Sequence, residues 1–427
     1  MKLPLHLAAL LLANTCVLRA ESYLIKDLGT IGGSTSYSTA ISSSGVIVGS
    51  SSVKGDSTTH AVRFSGSGSK NTDLGTLGGS YGSANSINTA GKIVGQTDIS
   101  EGARYRATLF SNTGGKNTDL GSLAAPEVPA NSSAQSINTR GRIVGYAAST
   151  SLGSAGILAT LFSGTGTDNI NLGTLGGSDS QATAINDVGL IGQIVGHAKT
   201  PSDQTHATLF SGTGDNNTDL GTLGGNSSYA LDINNSGQIV GKASLANSTN
   251  SRATLFSGTG SNNTDLGTLG GKNSFATAID NSGNIVGAAD IAGVFPTSHG
   301  FIFRDGKMTD LNDMIDAPDV TISVATDINE SGQIAAYGII DGDTHAFRLD
   351  PVPPPVIYKI AATASPAAKG RVSGAGKISK GKKVTLTAKP KAGAKFVKWT
   401  ENGKSVSTSK TYTFKVTKAR TLVARFK

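Results

Sequence analysis

The sequence is poor in cysteine and in aromatic residues. Its 427 residues include one cysteine, Cys16, and aromatic residues make up 5% of the chain. A single cysteine excludes an intramolecular disulfide framework and any zinc site that needs paired cysteines. Because aromatic residues are few, the core must be built from Leu, Ile, Val and Ala side chains. The HExxH pattern is missing too, so no recognised metal-binding spacing is present.

Glycine, by contrast, is abundant, at 56 of 427 residues, about twice the usual ~7%. Glycine weakens helices and supplies turns that need a positive φ. Together with many Ser, Thr and Asn residues, this composition indicates short strands joined by frequent turns. We therefore expect an all-β protein.

The N-terminal residues are predicted to be a targeting segment. Lys2 supplies a positive start, and residues 3–18 are mostly apolar but shorter than the ~20 residues of a membrane span. Residues 1–20 are interpreted as a signal peptide cleaved after Ala20. Cys16 would leave with it, and a lipid-anchored Cys16 is the alternative. After cleavage we expect no transmembrane segment and a secreted or cell-surface protein.

A motif of the form DLG divides the chain into repeats. Its copies and variants begin at Asp27, Asp73, Asp119, Asn171, Asp219, Asp265 and Asp310. The spacings are 46, 46, 52, 48, 46 and 45 residues. Two further motifs, INxxGxIVG and a segment such as HATLF or RATLF, recur with it in a fixed order. The sequence therefore contains seven repeats of ~46 residues.

Each motif has the chemistry of a β-strand or a turn. ATLF, DLGTL, A-x-x-I and QIVG predict four short strands per repeat, and Gly237 and Gly283 predict the left-handed position of a hairpin turn. Four-stranded units of ~40–50 residues are typical of β-propeller blades. We predict a seven-bladed β-propeller over residues 21–350, with a stacked solenoid as the alternative. The sequence leaves open whether the first DLG strand completes a blade with the last HAFRL strand.

The linked motifs also resemble a known family. The His-Ala-Phe-like strand, DLGTLGG and INxxGxIVG are similar to the HAF-repeat family of bacterial extracellular proteins, over about residues 23–350. Several copies differ from that family in carrying TLF in place of an aromatic pair. The resemblance implies secretion and a propeller-like fold, and it brings no established activity.

The C-terminal residues differ in composition. The segment PVPPP predicts a stiff, extended linker over residues 351–356. Beyond it, apolar residues from Val384 to Ala388 alternate with threonines, which predicts a small all-β module over residues 357–427. This module closely resembles the divergent internalin-B-type B repeat. That resemblance implies a β-grasp-like fold and a cell-surface or spacer role.

Charge is divided unevenly along the chain. Residues 356–427 contain 18 Lys or Arg and one acid, Glu401, whereas residues 21–355 contain 17 bases and 28 acids. A module this basic should attract polyanions, and we expect anionic cell-envelope polymers rather than nucleic acid outside the cell. The alternative is a solvated surface. The candidate contact residues are Lys380, Lys382, Lys383, Lys389, Lys391, Lys395 and Lys398.

The repeat-equivalent histidines and aspartates are expected to be structural. The histidines, expected to hydrogen-bond within a blade, are His60, His206, His299 and His345. Each DLG aspartate is expected to accept backbone N–H groups before a turn, with an inward ring of carboxylates that binds a cation as the alternative. These acids have near-identical settings, unlike an acid–base pair. We therefore predict no catalytic site, no metal and no cofactor.

The sequence leaves three functions open. The preferred one is a non-enzymatic binding or scaffold protein, in which the propeller presents loops to an unknown protein or glycan and the basic tail binds anionic polymers. The alternatives are a polysaccharide-acting enzyme on a propeller and a passive surface spacer or matrix protein. An enzyme would require one repeat that breaks the symmetry with additional polar residues. The longer third and fourth repeats add no convincing acid–base pair.

Overall fold

The computed structural model describes residues 22–427, apart from residues 67, 69, 100–103, 126–129, 150–155, 165–167, 215, 294–296 and 354. The predicted signal peptide and Cys16 lie outside the described residues. The described chain divides into two compact units, Ser22–Val352 and Pro353–Lys427. Apart from two short 3-10 turns, Leu311–Met314 and Ala367–Lys369, its regular elements are all strands. No helix in this part of the chain is long and apolar enough to cross a membrane.

The first unit is built from sets of four antiparallel strands. It begins with β1 (Tyr23–Asp27). Six sheets of consecutive strands follow in chain order: β2 (Gly32–Ile41), β3 (Ile47–Val53), β4 (Thr59–Arg63), β5 (Thr72–Asp73); β6 (Gly82–Ile87), β7 (Ile93–Asp98), β8 (Tyr105–Phe110), β9 (Thr118–Asp119); β10 (Ser132–Ile137), β11 (Ile143–Ala148), β12 (Ile157–Phe162), β13 (Ile170–Asn171); β14 (Ser180–Ile185), β15 (Ile194–Lys199), β16 (Thr205–Phe210), β17 (Thr218–Asp219); β18 (Gly224–Ile233), β19 (Ile239–Leu245), β20 (Ser251–Phe256), β21 (Thr264–Asp265); β22 (Gly270–Ile279), β23 (Ile285–Ile291), β24 (Ser298–Arg304), β25 (Lys307–Asp310). A parallel contact at Thr205 and Ser227 links the fourth of these sheets to the fifth.

The seventh sheet joins the two ends of this unit. It contains β26 (Val320–Ile328), β27 (Ile334–Ile340) and β28 (Asp343–Pro351), and β1 lies beside β28 in the order β1-β28-β27-β26. The two end strands pair antiparallel, with Tyr23 opposite Pro351 and Asp27 opposite Phe347. The first DLG strand therefore completes the sheet of the last repeat, which is the alternative that the sequence leaves open.

The first strand of each sheet packs against the first three strands of the preceding sheet, as β18 does against β14, β15 and β16. Each first strand contacts that of the next sheet, from β2 with β6 through to β22 with β26, and β2 also contacts β26. The core between sheets is mainly aliphatic, as expected from the scarcity of aromatic residues, and each cluster contains one or two aromatic side chains such as Phe256. For example, Val195 and Ala207 of one sheet cluster with Ala230 and Ile239 of the next. Each sheet thus buries its apolar side chains against its neighbours in the chain.

Three of the four predicted strands per repeat are present, and the fourth is much shorter than predicted. The A-x-x-I, IVG and ATLF segments are strands, but the predicted DLGTL strand contains only two residues in five of the seven repeats, such as Thr72–Asp73. It ends because the Asp73 side chain turns the backbone: Gly75 N donates to Asp73 Oδ1 at 2.8 Å. Gly75 has φ +66°, a conformation that favours glycine.

The hairpin turn predicted at INxxG is confirmed. In the fifth repeat, Gly237 N donates to Asn234 O at 3.0 Å and Gly237 has φ +79°. Asn234 Oδ1 also accepts from the backbone N–H groups of Ser236 and Gln238, each at 3.0 Å. The asparagine thus fixes the turn from its first position, as its frequency there predicts.

These turn asparagines also connect one sheet to the next. Asn88 Nδ2 donates to the backbone oxygen of Asn138 at 3.0 Å, and Asn138 in turn to that of Asn186 at 3.1 Å. The same bond runs from Asn329 in the seventh sheet to Ser42 O in the first, at 3.0 Å. The side chains are buried, so each bond satisfies polar groups that water does not reach.

The glycine of IVG is required by a close backbone approach. A Cβ on Gly49 would lie 1.9 Å from Tyr37 O. In the seventh sheet, alanine (Ala336) stands at this position and a glycine (Gly338) follows two residues later, where a Cβ would lie 2.0 Å from Thr321 O. The β26–β27 pair has a register shift beside this point. The bulge moves the close backbone contact from position 336 to position 338, which explains why the last copy can have alanine at position 336.

The second unit, which we call the basic module, contains two sheets around one core. Trp399 is fully buried there, among Leu386, Leu422 and Phe426. Its elements include no α-helix, so the helix that a β-grasp fold lays across its sheet is missing, and a second sheet covers the core. The strands are β29 (Ile357–Ser365), β30 (Gly370–Ser373), β31 (Gly376–Ser379), β32 (Lys383–Pro390), β33 (Phe396–Glu401), β34 (Lys404–Ser407), β35 (Thr411–Lys415) and β36 (Arg420–Phe426), in the orders β31-β29-β36-β33-β34 and β30-β32-β35.

Candidate functional site

The seven lysines predicted to contact a polyanion lie on strand β32 or close to it in the chain. Six of them are exposed and Lys398 is partly buried. Their positions are the turn before β32 (Lys380, Lys382), β32 itself (Lys383, Lys389), the connection to β33 (Lys391, Lys395) and β33 (Lys398). The structure therefore spreads them over more than one side of the module.

One side of the three-stranded sheet carries basic residues from all three of its strands. Along β32, Val384, Leu386 and Ala388 are buried, and the alternate residues point away from the core. Strand pairing places Arg371 opposite Lys389 and Lys415 opposite Lys383. We call this side the outer face; it consists of Arg371, Ser373, Lys383, Thr385, Thr387, Lys389, Thr411, Thr413 and Lys415.

The outer face has a pair of bases at each end and hydroxyl groups between them. Lys383 and Lys389 are six residues apart on one strand, a separation of about 20 Å. Thr385 and Thr413 lie between the two ends, with their Oγ1 atoms 2.8 Å apart. Sequence reasoning missed Arg371 and Lys415 as members of this surface. The alternation of apolar and polar residues around Lys415 could be seen in the sequence, but the pairing of β35 with β32 could not.

The single acid of the basic module is already bound within it. Arg420 donates from Nε to both oxygens of Glu401, at 3.0 and 3.1 Å, and from a terminal nitrogen at 2.7 Å. The guanidinium also lies 4.2 Å from the ring centre of Phe414, a favourable cation–π position. This hydrogen bonding holds the pKa of Glu401 below its usual range. No carboxylate side chain is left in the module to neutralise the other bases.

The repeat-equivalent histidines hydrogen-bond to the DLG aspartates, which confirms the hydrogen bond predicted within each of these sheets. His60 Nδ1 lies 2.8 Å from Asp73 Oδ2, and the corresponding distance in three other sheets is 2.6 to 3.0 Å. Arginine replaces histidine in another sheet, where Arg106 Nε lies 3.1 Å from Asp119. In the sheet that has Leu158 at this position, the aspartate is replaced too, by Asn171.

The DLG aspartates do not face one another as a carboxylate ring would require. They lie on the fourth strand of each sheet, whereas the equivalent strands that contact one another from sheet to sheet are the first strands. Each also accepts a backbone N–H two residues ahead, as Asp265 does from Gly267 at 2.8 Å. Within the described residues, no group of three or more His, Cys, Asp or Glu side chains could hold a metal ion.

His197 is the one histidine of the first unit outside the repeat position. Its ring packs edge-on against Tyr229, with the ring centres 4.8 Å apart, and Lys242 Nζ lies 4.9 Å from the centre of the same Tyr229 ring. Burial, and then the charge of Lys242, lower the pKa of His197 to about 4. His197 is therefore a neutral packing residue at ordinary pH.

Two partly buried acids were missed by the sequence reasoning. Asp232 and Asp327 occupy the position before the last isoleucine of the first strand, where the other repeats have Ala or Ser. Each carboxylate accepts the backbone N–H of an isoleucine in the next sheet at 2.8 Å, Ile279 and Ile41 respectively. Burial raises the pKa of Asp232 to about 6 and that of Asp327 to about 7. Aligning the repeats position by position would have revealed both.

Comparison with known proteins places one part of the chain. Residues 360–427 match the family model of the divergent InlB B-repeat domain. This match agrees with the resemblance read from the sequence of the basic module. No curated protein matches the chain.

Proposed function

We propose that this chain is a secreted or cell-surface binding protein whose basic module attaches to anionic polymers. The observation that carries the proposal is the outer face, on which four bases from three strands stand in a module whose one acid is bound by Arg420. Like charges at this density repel one another, which costs stability, so a binding role accounts for them. Repeats of the InlB type occur in surface proteins, which supports the location.

For the first unit we propose a seven-bladed β-propeller that presents its loops to a partner. Support comes from the four-stranded sheets, from the pairing of β1 with β28, and from the contact of β2 with β26. The resemblance of the repeats to the HAF-repeat family also supports this fold. The isolated unit should scatter X-rays as a flattened disc, and the profile of an elongated rod would favour a solenoid.

The proposed role is binding rather than catalysis. In three of the four histidine–aspartate pairs of the repeats the aspartate is exposed, so these pairs lack the contrasted environments that an acid–base pair needs. We expect no turnover of polysaccharide, peptide or ester substrates. Reproducible turnover that one substitution abolishes would contradict this part of the proposal.

The polymer-binding proposal is tested by salt dependence. Binding that releases counterions weakens steeply as salt rises, so the full-length protein should bind immobilised heparin at low salt and elute on a salt gradient. The variant Lys383→Gln/Lys389→Gln/Lys415→Gln should elute at lower salt. The matched control Lys359→Gln/Lys377→Gln/Lys404→Gln removes the same charge from exposed residues off the outer face and should elute close to the wild type.

The outcomes have different meanings. If the wild-type protein ignores heparin at low salt, the lysines are a solvated surface and the proposal fails. If both variants weaken binding equally, the net charge of the module acts without a preferred face. If the outer-face variant alone weakens binding, the outer face is the contact surface.

A further inference from the structure

The junction between β25 and β26 differs from the glycine-rich junctions of most other repeats. In most repeats a short glycine-rich segment links the fourth strand of one sheet to the first strand of the next. Between β21 and β22, for example, this segment contains Gly267, and β22 then begins with Gly270 and Gly271. Between β25 and β26 the chain instead runs through residues 311–319, with a 3-10 turn at Leu311–Met314. This segment forms one wall of a pocket of about 350 Å³.

The backbone around this junction has changed to accommodate the segment. Ile322 stands where five other first strands have a serine and the second sheet has Gly82, and Gly300 stands where other third strands have an alanine. A Cβ on Gly300 would lie 2.7 Å from Ile322 Cγ2, so the two replacements depend on each other. Asn312 then fixes the segment to Ile322, donating to its backbone oxygen at 3.0 Å and accepting from its N–H at 2.7 Å.

The pocket contains a histidine whose ring orientation is fixed. His299 Nδ1 lies 2.6 Å from Asp310 Oδ2, and Asp310 Oδ1 accepts from Asn312 N at 2.8 Å and Asn312 Nδ2 at 2.9 Å. The Asp310 side chain is 16% exposed, against 45% for Asp73 in the equivalent pair with His60. A neutral imidazole that donates from Nδ1 to a carboxylate keeps Nε2 as a hydrogen-bond acceptor.

The rest of the lining combines an apolar wall with another acceptor. Ile315, Pro318 and Val320 supply the apolar part, and the exposed carboxylate of Asp316 supplies the acceptor. The volume lies at the lower end of the range for small-ligand sites, roughly 300–1,000 Å³. A ligand that suits this pocket has hydroxyl donors on one edge and C–H groups on one face, which describes a sugar ring.

We propose that this pocket binds a single sugar residue, such as the end of a glycan chain. The inference extends the proposed binding role of the first unit by naming its site and ligand class, and it does not depend on the basic module. A ligand of this size should bind weakly, with a dissociation constant on the order of 1 mM. Hydroxyl groups of the sugar would donate to His299 Nε2 and Asp316, and its C–H face would cover Pro318.

The experiment is saturation-transfer NMR on the full-length protein with a panel of neutral and acidic mono- and disaccharides. We expect at least one sugar to receive saturation, and His299→Gln and Asp316→Asn each to weaken its binding about tenfold or more. The matched control is His60→Gln, which breaks an equivalent His–Asp pair away from the pocket. It should bind the sugar like the wild type, and thermal unfolding of each variant checks the fold.

Three results would overturn the inference. They are no saturation of any sugar by the wild-type protein, equal losses for His299→Gln and His60→Gln, or a sugar that binds unchanged to both pocket variants. Asp316 is exposed, so Asp316→Asn stays informative even if His299→Gln disturbs folding. Failure of sugar binding leaves salt-sensitive heparin binding untouched, and failure of heparin binding leaves the pocket untouched.

Discussion

As the pH rises, the variant Asp327→Ser should become more stable in its first unit relative to the wild-type protein. Asp327 Oδ2 accepts from Ile41 N at 2.8 Å and so joins the seventh sheet to the first. Burial raises the pKa of Asp327 to about 7, with a smaller contribution from the charge of Asp232. Serine suits this backbone, because Ser86 Oγ accepts the equivalent N–H, from Ile137, at 3.3 Å.

The sign and size of the effect follow from the pKa of Asp327. Between pH 3.8 and about 7, the folded chain holds a proton that the unfolded chain has released, so wild-type stability falls as the pH rises through this window. Three pKa units correspond to about 4 kcal/mol. The Asp327 side chain keeps some solvent contact, so we expect about half of this value. Between pH 4 and pH 8, the free energy of unfolding of the variant should therefore rise by ~2 kcal/mol relative to that of the wild type.

The assay is urea unfolding of the full-length protein, followed by far-UV circular dichroism at pH 4, 6 and 8. The single tryptophan, Trp399, lies in the basic module, so its fluorescence reports separately on that module. His197, whose pKa is lowered, contributes a pH dependence of opposite sign to both proteins and cancels in the difference. Asp232→Ser should give a smaller shift of the same sign. Parallel pH profiles for the wild type and Asp327→Ser would refute the reasoning.

Two further predictions concern the backbone contacts between sheets and within them. Gly338→Ala should destabilise the first unit by about 1–3 kcal/mol, because the new Cβ would clash with a neighbouring carbonyl. Ala336→Gly should cost about 1 kcal/mol or less. Comparable losses for the two variants in urea unfolding would contradict the displaced bulge. Asn329→Ala should cost about 2 kcal/mol, because it removes the bond to Ser42 and the turn acceptors. Asn329→Asp should cost less than Asn329→Ala, since Asp280 makes the same turn hydrogen bonds in another repeat. Equal losses of stability for the two variants would show that the turn hydrogen bonds do not contribute.

Features that depend on residues close in the chain were predicted from the sequence. The turn at Gly237, the strands at IVG and ATLF, and the alternation along β32 all follow from interactions within about ten residues. A hydrogen bond of His60 within its sheet was predicted as well, but its partner Asp73, 13 positions away on the adjacent strand, was not. For these features composition and spacing carry enough information, because the backbone has few ways to join such neighbours.

Features that depend on distant parts of the chain required the tertiary structure. The sequence alone determined that this protein has seven repeated β units followed by a basic β module, because repeated motifs and charge are properties of composition and order. Only the structure decided that β1 pairs with β28, that Arg371 and Lys415 join Lys383 and Lys389 on one face, and that Asp327 meets Ile41. Each of these contacts depends on which strands pair or pack together. Side-chain periodicity shows which face of a strand is buried, but it does not identify the strand's partner.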